Sequence, residues 1–378
     1  MALSVAPSRA VGVASIVAAI GCSAIATGSS LAFRSGQIPE AANGFLGPLV
    51  QAWARWDAGW YASIAREGYW YSPGVQTPVA FFPGYPLLMR ALMQLGLDRY
   101  ACGFLVTLCC GLIAIWLFFR WASTLAGPQS ATTASLLLVL YPFALYLYGA
   151  VYSDALLLAL VVGAFLFLER DRIGWATVLG MLATATRPVA PAVVLGLVIR
   201  QLERRRARGE RIRALDFLPV LSLCGLALYM AYLWQRFGDP LAFVHVQSAP
   251  GWDQPPGPET WLKVTWFRIL FPRVAPLVAA RLVGHALVTL GALALVFPTR
   301  RLLGWGYAVY VAAAVGLPAL SSKDFMGLGR YVLAAFPLFL TVALLLRERP
   351  RLRKWWLTVS AIVLALLTFA FGAGGYVS

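Results

Sequence analysis

The sequence is poor in charge. Of its 378 residues only 12% are Asp, Glu, Lys or Arg, while 60% are hydrophobic; a soluble domain carries about 25% charged residues. A chain with so little charge cannot clothe a large water-soluble globule, so the composition points to a polytopic integral membrane protein of all-α architecture. Cysteine is sparse too. Cys22, Cys102, Cys109, Cys110 and Cys224 all lie in apolar stretches without zinc-site spacing, and they read as small hydrophobes. There are only two histidines and no Asp-x-Asp motif. A divalent-metal site for a sugar nucleotide is therefore disfavoured, and neither a metal nor an organic cofactor is expected. The lack of a Walker A loop, a Gly-x-Ser-x-Gly elbow and a His-Glu-x-x-His pair disfavours an ATPase, a serine hydrolase and a zinc protease.

The net charge of +16 would suggest nucleic acid in a soluble protein. Here the basic residues gather in short connections between apolar stretches, as topology control requires, so no nucleic-acid partner is expected. The apolar runs predict about eleven membrane segments, at roughly 11–33, 101–120, 131–149, 152–168, 174–186, 188–200, 216–234, 276–297, 303–320, 331–346 and 355–373. The first is long for a signal peptide, and its leading region holds only Arg9, so a retained anchor is expected. The fifth and sixth are too short to span squarely. Arg187-Pro188 divides them, and proline breaks a helix, so they predict a hairpin whose tip is buried in protein. With the N-terminus inside, the arginine-rich run between Arg200 and Arg213 is the strongest cytoplasmic anchor, and it also suits anionic headgroups. No internal repeat is visible. The whole chain, 1–378, reads as one membrane domain with two long exterior loops, 34–100 and 235–275, and no soluble unit able to stand alone.

The exterior side carries the chemistry. The first loop holds Arg55-Trp56-Asp57-Ala58-Gly59-Trp60-Tyr61 and runs on to Gly68-Tyr69, which sets a carboxylate among aromatic rings at a membrane surface. Asp154 follows Tyr152-Ser153 at the start of the fourth segment, Arg187 sits at the hairpin tip, and Lys323 and Arg330 flank the last exterior loop. A charge at membrane depth is costly unless paired or hydrated, so such residues point to function. Two acids facing several cations suit an anionic substrate, with the cations clamping a phosphate and an acid acting as general base. Blander roles stand beside these: Asp57 and Asp154 as helix caps, Arg187 as a snorkelling cation, Arg330 as an end-of-helix charge. His245 and Gln247, in Gly238-Asp239-Pro240-Leu241-Ala242-Phe243-Val244-His245-Val246-Gln247, offer polar groups to a sugar, whereas His285 reads as a packing histidine.

These motifs resemble the PIG-V-like mannosyltransferases of the GT-C superfamily of polytopic glycosyltransferases. The resemblance rests on Arg55 to Tyr69, Phe81-Phe82-Pro83-Gly84-Tyr85-Pro86, Tyr152-Ser153-Asp154, Ala185-Thr186-Arg187-Pro188, Gly238 to Phe243 with Gln247, and Gly329-Arg330-Tyr331 leading to Phe336-Pro337. Asp154 stands where many relatives carry Glu, and Gly84 where Leu is common. The resemblance implies a polyprenyl-phosphate mannose donor, inversion at the anomeric carbon, and Asp57 as catalytic base. On this reading Arg187 and Arg330 hold the departing phosphate, with Lys323 a weaker candidate. Arg55, Trp56, Trp60, Tyr61, Tyr152, Asp154, His245 and Gln247 bind substrate. The partners are the lipid-linked donor, a glycolipid, glycan or protein acceptor, and the bilayer. An Ala- and Arg-rich composition suggests a GC-rich bacterial source, hence a plasma-membrane enzyme with its site on the exterior face. A lipid-glycan transporter or flippase would share charges at depth and broken helices, but an inverted repeat is its expected sign.

Overall fold

The computed structural model describes residues 7–33, 46–271 and 274–377. The stretch 34–45 of the expected first exterior loop, and 272–273 of the second, lie outside the described residues. No strand occurs among the described residues.

α1 (Pro7–Phe33) leads to the short α2 (Gly47–Trp53) and α3 (Ala58–Glu67), then α4 (Gly84–Met93). α5 (Arg99–Val139) is two rods rather than one. Gly127 adopts φ 76°, ψ 166° inside it and Pro128 follows, a pair that removes a helical hydrogen bond and turns the axis. The two rods correspond to the second and third expected segments, but the third stops at Val139 instead of running to 149. Pro142 is the reason: it disfavours helical geometry in the residue before it and has no N–H to donate. The Tyr148 hydroxyl donates to the freed Val139 carbonyl at 2.7 Å.

α6 (Asp154–Glu169) is apolar nearly all round and buried nearly all round, the signature of a helix enclosed by protein. α5, α7 (Ile173–Thr184) and α8 (Ala190–Ala207) pack about it. The expected split hairpin is present, because α7 ends at Thr184 and α8 begins at Ala190 with Arg187-Pro188 in the turn between them. A 3-10 stretch, Ala214–Leu223, runs into α9 (Cys224–Phe237). Short pieces follow in the second long loop: α10 (Ala242–His245), α11 (Pro258–Trp261) and α12 (Val264–Leu270). α13 (Pro276–Ala294), α14 (Val296–Leu303), α15 (Trp305–Ser321), α16 (Leu328–Tyr331), α17 (Pro337–Leu345) and α18 (Pro350–Gly372) complete the chain.

Five helical stretches are long and apolar enough to cross a membrane: Pro7–Phe33, Arg99–Val139, Ala214–Phe237, Pro276–Leu303 and Pro350–Gly372. α7 and α15 are shorter apolar helices. The main core runs through α1, α5, α6, α15 and α17, and a smaller one, around Val79, Phe82, Tyr229, Leu233 and Val246, joins the first loop to α9 and the second loop.

Local capping sets the first loop in place. Asp98 caps α5, its Oδ1 accepting from the Tyr100 and Ala101 amides at 2.8 and 3.2 Å. Arg90, on α4, donates to the Ala65 and Ile64 carbonyls at 2.7 and 3.2 Å. A cation here satisfies the open carbonyl end of α3 and suits its dipole. On the other face of α4, Leu87 and Leu88 point outward.

Candidate active site

The site grows from the N-terminus of α3. Trp56 adopts φ 52°, an uncommon left-handed conformation for a bulky residue, and it turns the chain so that Asp57 enters the helix. Arg55 anchors that turn from behind. Buried, it donates to the Ser30 hydroxyl at 2.8 Å and to the Gly372 carbonyl at 2.9 Å, tying the turn to the ends of α1 and α18. Trp56 is half exposed and packs edge-on against Tyr376, with ring centroids 5.1 Å apart.

Asp57 occupies the N-cap position of α3, yet its side chain makes no capping bond. The carboxylate instead faces Arg330, with Nη1 3.4 Å from Oδ2. Asp154, in the first turn of α6, likewise does not cap; it pairs with Arg187 through Oδ1 and lies 3.7 Å from Arg330 Nε through Oδ2. Arg187 is therefore a paired cation within the protein rather than a snorkelling one. Two acids and two arginines from α3, α6, the α7–α8 turn and α16 thus meet in one cluster. Asp154 and Arg330 are buried, while the Asp57 side chain is 31% exposed. Asp154 Oδ2 and Arg330 Nε are buried and have no hydrogen-bond partner.

Tyrosines wall the cluster. The Arg330 guanidinium lies over the rings of Tyr152, Tyr146 and Tyr331 at 4.9, 5.2 and 5.2 Å, and Arg187 lies over Tyr331 at 4.5 Å. Such stacking stabilises partly dehydrated cations without neutralising them. The Asp57 amide donates to the Tyr152 hydroxyl at 3.2 Å, and the Tyr61 and Ser153 hydroxyls share a bond of 2.8 Å. Burial pushes the Tyr61 hydroxyl up to about 12, so it stays neutral. Burial also pushes the Asp57 carboxyl above the usual carboxylate range, an effect opposed by Arg330 and then by Arg187.

Two glycines explain how these pieces approach. The Gly84 amide donates to the Ala185 carbonyl at 2.9 Å, and a Cβ on Gly84 would overlap the Thr186 hydroxyl and lie 3.1 Å from the Thr186 Cα. The first loop therefore docks directly on the turn that carries Arg187. Gly329 lets α16 approach Phe143 and His285, and its amide donates to His285 Nδ1 at 3.2 Å. His285 is thus buried and hydrogen-bonded beside the site.

The remaining candidates lie in a second group. His245 Nδ1 is 2.7 Å from Asp239 Oδ2, which also accepts from the Tyr71 hydroxyl at 3.2 Å. The Gln247 amide donates to the Phe243 carbonyl at 3.4 Å. Lys323 pairs with Asp253 at 3.3 Å, not with Asp57 or Asp154. Trp60 stacks on Phe81, with centroids 5.9 Å apart and planes at 18°, and meets Trp252 of the second loop at 6.0 Å. Sequence reasoning missed Tyr146, Ser153, Tyr331 and Trp252 as site residues. Tyr331 and Ser153 were signalled by their motifs; nothing in the sequence pairs Trp252 with Trp60. No group of three or more His, Cys, Asp or Glu side chains among the described residues gathers to hold a metal ion.

A family model, mannosyltransferase (PIG-V), matches residues 20–203. The chain is similar to the PIG-V mannosyltransferases. The matched interval carries Asp57, Asp154 and Arg187, while Arg330, Lys323, His245 and Gln247 lie beyond it. The match supports a glycosyltransferase, and with the apolar helices it supports an integral membrane protein. No curated protein matches the chain. Among solved structures, an oligosaccharyltransferase from Archaeoglobus fulgidus in its apo form aligns with a TM-score of 0.45 and 12% identity, over 95% of this chain. The chain spans 56% of that structure's length.

Proposed function

We propose that the chain is an inverting glycosyltransferase that moves mannose from a polyprenyl-phosphate donor to an acceptor hydroxyl, with Asp57 as general base. One observation carries this reading. A partly exposed carboxylate of raised basicity stands directly against a buried Arg330 whose Nε has no hydrogen-bond partner, and Asp154 and Arg187 lie behind it. The matched mannosyltransferase family supports the sugar chemistry.

The charges follow the reaction. Asp57 takes the proton of the acceptor hydroxyl as that oxygen attacks the anomeric carbon from the side opposite the phosphate. The bond between the anomeric carbon and the phosphate oxygen breaks, and its electron pair leaves with the polyprenyl phosphate. Negative charge thereby moves from the carboxylate to the phosphate, and Arg330 borders both positions. Pre-placed cations aimed at developing charge cost no reorganisation during the step, which is why they accelerate it. Asp154 holds Arg187 and faces Arg330, orienting both. Lys323 is a third, outer cation that would exchange Asp253 for phosphate. Arg55 sets the Trp56-Asp57 turn; Trp56, Trp60, Tyr61 and Tyr152 border the substrate, and His245 and Gln247 belong to the sugar pocket.

This reading includes one domain over 1–378, eleven membrane segments with the N-terminus inside, and the loops 34–100 and 235–275 on the exterior face of a bacterial plasma membrane. Segments shorter than a full span, such as α6, are accommodated because protein rather than lipid surrounds them. The test is transfer in proteoliposomes from radiolabelled polyprenyl-phosphate mannose to a membrane extract of the source cell. Label should move with the wild type and not with Asp57→Asn. A folded Asp57→Asn protein with near-normal turnover would remove the base assignment, and a wild type inert towards this donor would remove the donor.

A further inference from the structure

Arg330 is held loosely at its head and firmly at its root. Its guanidinium stands 3.4 and 3.7 Å from its two acids, and Nε has no hydrogen-bond partner. The residue before it is fastened from both sides. The Gly329 amide donates to His285 Nδ1 at 3.2 Å, and the Gly329 carbonyl accepts from the Tyr141 hydroxyl at 2.8 Å. Gly329 permits this closeness, since a Cβ there would lie 3.0 Å from Nδ1 and overlap the Phe143 ring. His285 is buried on α13 with its ring centroid 5.1 Å from that of Phe143, so it has little freedom to follow a moving partner.

The same ring is tied to the Asp57 arm. With Nδ1 accepting, the ring proton sits on Nε2, and the Val377 backbone is the ring's other hydrogen-bond partner. Val377 belongs to a short strap, 373–377, that leaves α18 by a reversal at Gly374. That residue adopts φ 88°, and the Gly374 and Gly375 amides donate back to the Phe371 and Ala370 carbonyls at 3.0 and 2.7 Å, a glycine-based cap that turns the chain off the helix axis. One helical turn before His285, Arg281 donates to the Tyr376 carbonyl at 2.6 Å. The Tyr376 ring lies edge-on to Trp56, 5.1 Å away, and Trp56 makes the left-handed turn that delivers Asp57. His285 therefore touches both arms of the site: the segment that carries Arg330, and the strap that backs the Asp57 turn.

We propose that His285 is a positioning residue, which fixes the placement of Arg330 relative to Asp57 by bonding to the Gly329 amide through one nitrogen and to the strap at Val377 through the other. This rests on the glycosyltransferase reading above. A base and a leaving-group cation act together only at a set separation, and small displacements of either cost rate. Holding Arg330 through its backbone leaves the guanidinium N–H groups for a phosphate, whereas a tight side-chain pair would use them up. A histidine that merely fills space needs an apolar surround and any one donor; this one spends its Nδ1 on the residue next to Arg330.

The experiment compares His285→Phe and His285→Asn with the wild type in proteoliposomes. Phe keeps a ring and loses both hydrogen bonds; Asn offers an oxygen where Nδ1 stood. His285→Phe should lower kcat by roughly 10- to 100-fold with little change in the donor KM, and His285→Asn should recover part of that loss. The charged groups facing Asp57 are Arg330, Arg187 and Asp154, and Arg330 lowers its pKa. A displaced Arg330 should therefore move the acid limb of turnover to higher pH, whereas a smaller folded fraction scales the whole profile and leaves the limb in place. On an Arg330→Gln background His285→Phe should cost almost nothing further, because a residue that acts through another is not additive with it. Hydrogen exchange of the full chain in nanodiscs, without donor, reads the coupling independently of transfer: the Gly329 amide and the strap amides should both exchange faster in His285→Phe. An inert wild type would remove the donor and leave exchange to decide. An unmoved acid limb, a full further loss on the Arg330→Gln background, or unchanged exchange at Gly329 or the strap would each overturn the proposal.

Discussion

Asp154 and Glu169 stand at opposite ends of α6, about 22 Å apart at 1.5 Å per residue, and both are buried acids among arginines. Their surroundings differ in one respect. Three side chains hold Glu169. Its Oε1 accepts from Arg200 Nε at 2.6 Å and from the Tyr307 hydroxyl at 2.7 Å, and Arg204 approaches Oε2 at 3.4 Å. Arg204 continues to the Glu169 carbonyl and to Asp171, at 2.9 and 3.0 Å. Nearby, Asp216 accepts from Arg205 Nε, Gln201 and the Arg213 amide at 2.7, 2.8 and 2.7 Å, and the Glu203 carboxylate caps α15 at Trp305 and Gly306. At the Asp154 end, Arg330 stands at 3.4 and 3.7 Å from its acids, and two buried polar atoms lack hydrogen bonds. A filled network fastens helices together. An unfilled one is costly to maintain and makes sense where a ligand completes it.

The comparison can be broken most sharply at Asp57. Asp57→Asn should lower turnover by about 10²- to 10⁴-fold, the usual scale of general-base catalysis, while the thermal midpoint in detergent stays near that of the wild type. The mirror experiment is Glu169→Ala. Removing one partner of a buried pair costs about 3–5 kcal/mol, so the unfolding midpoint should drop while the folded fraction keeps near-normal turnover. A Glu169 variant that unfolds normally but turns over poorly would erase the distinction between the two ends. Arg330→Gln should reduce turnover by about 10²- to 10³-fold with less loss of stability than Glu169→Ala, measured in the same two assays.

Smaller effects sharpen the picture. Gly84→Ala places a methyl against Thr186 and should cost about 1–3 kcal/mol as an overpacked contact; turnover should fall with it, because the same turn carries Arg187. The pH profile is the mildest test. The proposed base would act only when ionised, and burial raises the Asp57 pKa, so the acid limb of turnover should fall above the ordinary carboxylate value of about 4. Arg330 lowers that pKa, so the residual activity of Arg330→Gln should show the limb moved to higher pH. A limb moved to lower pH would mean that another group titrates.

Much of the architecture was legible as hydrophobic runs, since burial in lipid or protein demands long apolar stretches whatever the tertiary contacts. The break at Arg187-Pro188 and the start of α6 at Asp154 follow from proline chemistry and from the end of an apolar run. The early stop of α5 shows the limit: 131–149 is continuous in apolar character, yet Pro142 ends the helix near Val139. The arginine-rich run illustrates another. Its topological meaning is plain from the sequence, but its service to Glu169, Asp171 and Asp216 depends on which helices lie beside α8.

By itself, then, the sequence determined an all-helical, charge-poor chain, the candidates Asp57, Asp154, Arg187 and Arg330, and the likeness to a mannosyltransferase family. Those features follow from composition, apolar period and local motif, which act over a few residues. The tertiary structure alone decided that these four groups meet, that Lys323 turns instead to Asp253, and that Trp252 reaches Trp60. Electrostatic pairing and ring contact act over a few ångströms, between residues that packing brings together from as far apart as Asp57 and Arg330, and no local pattern encodes that separation.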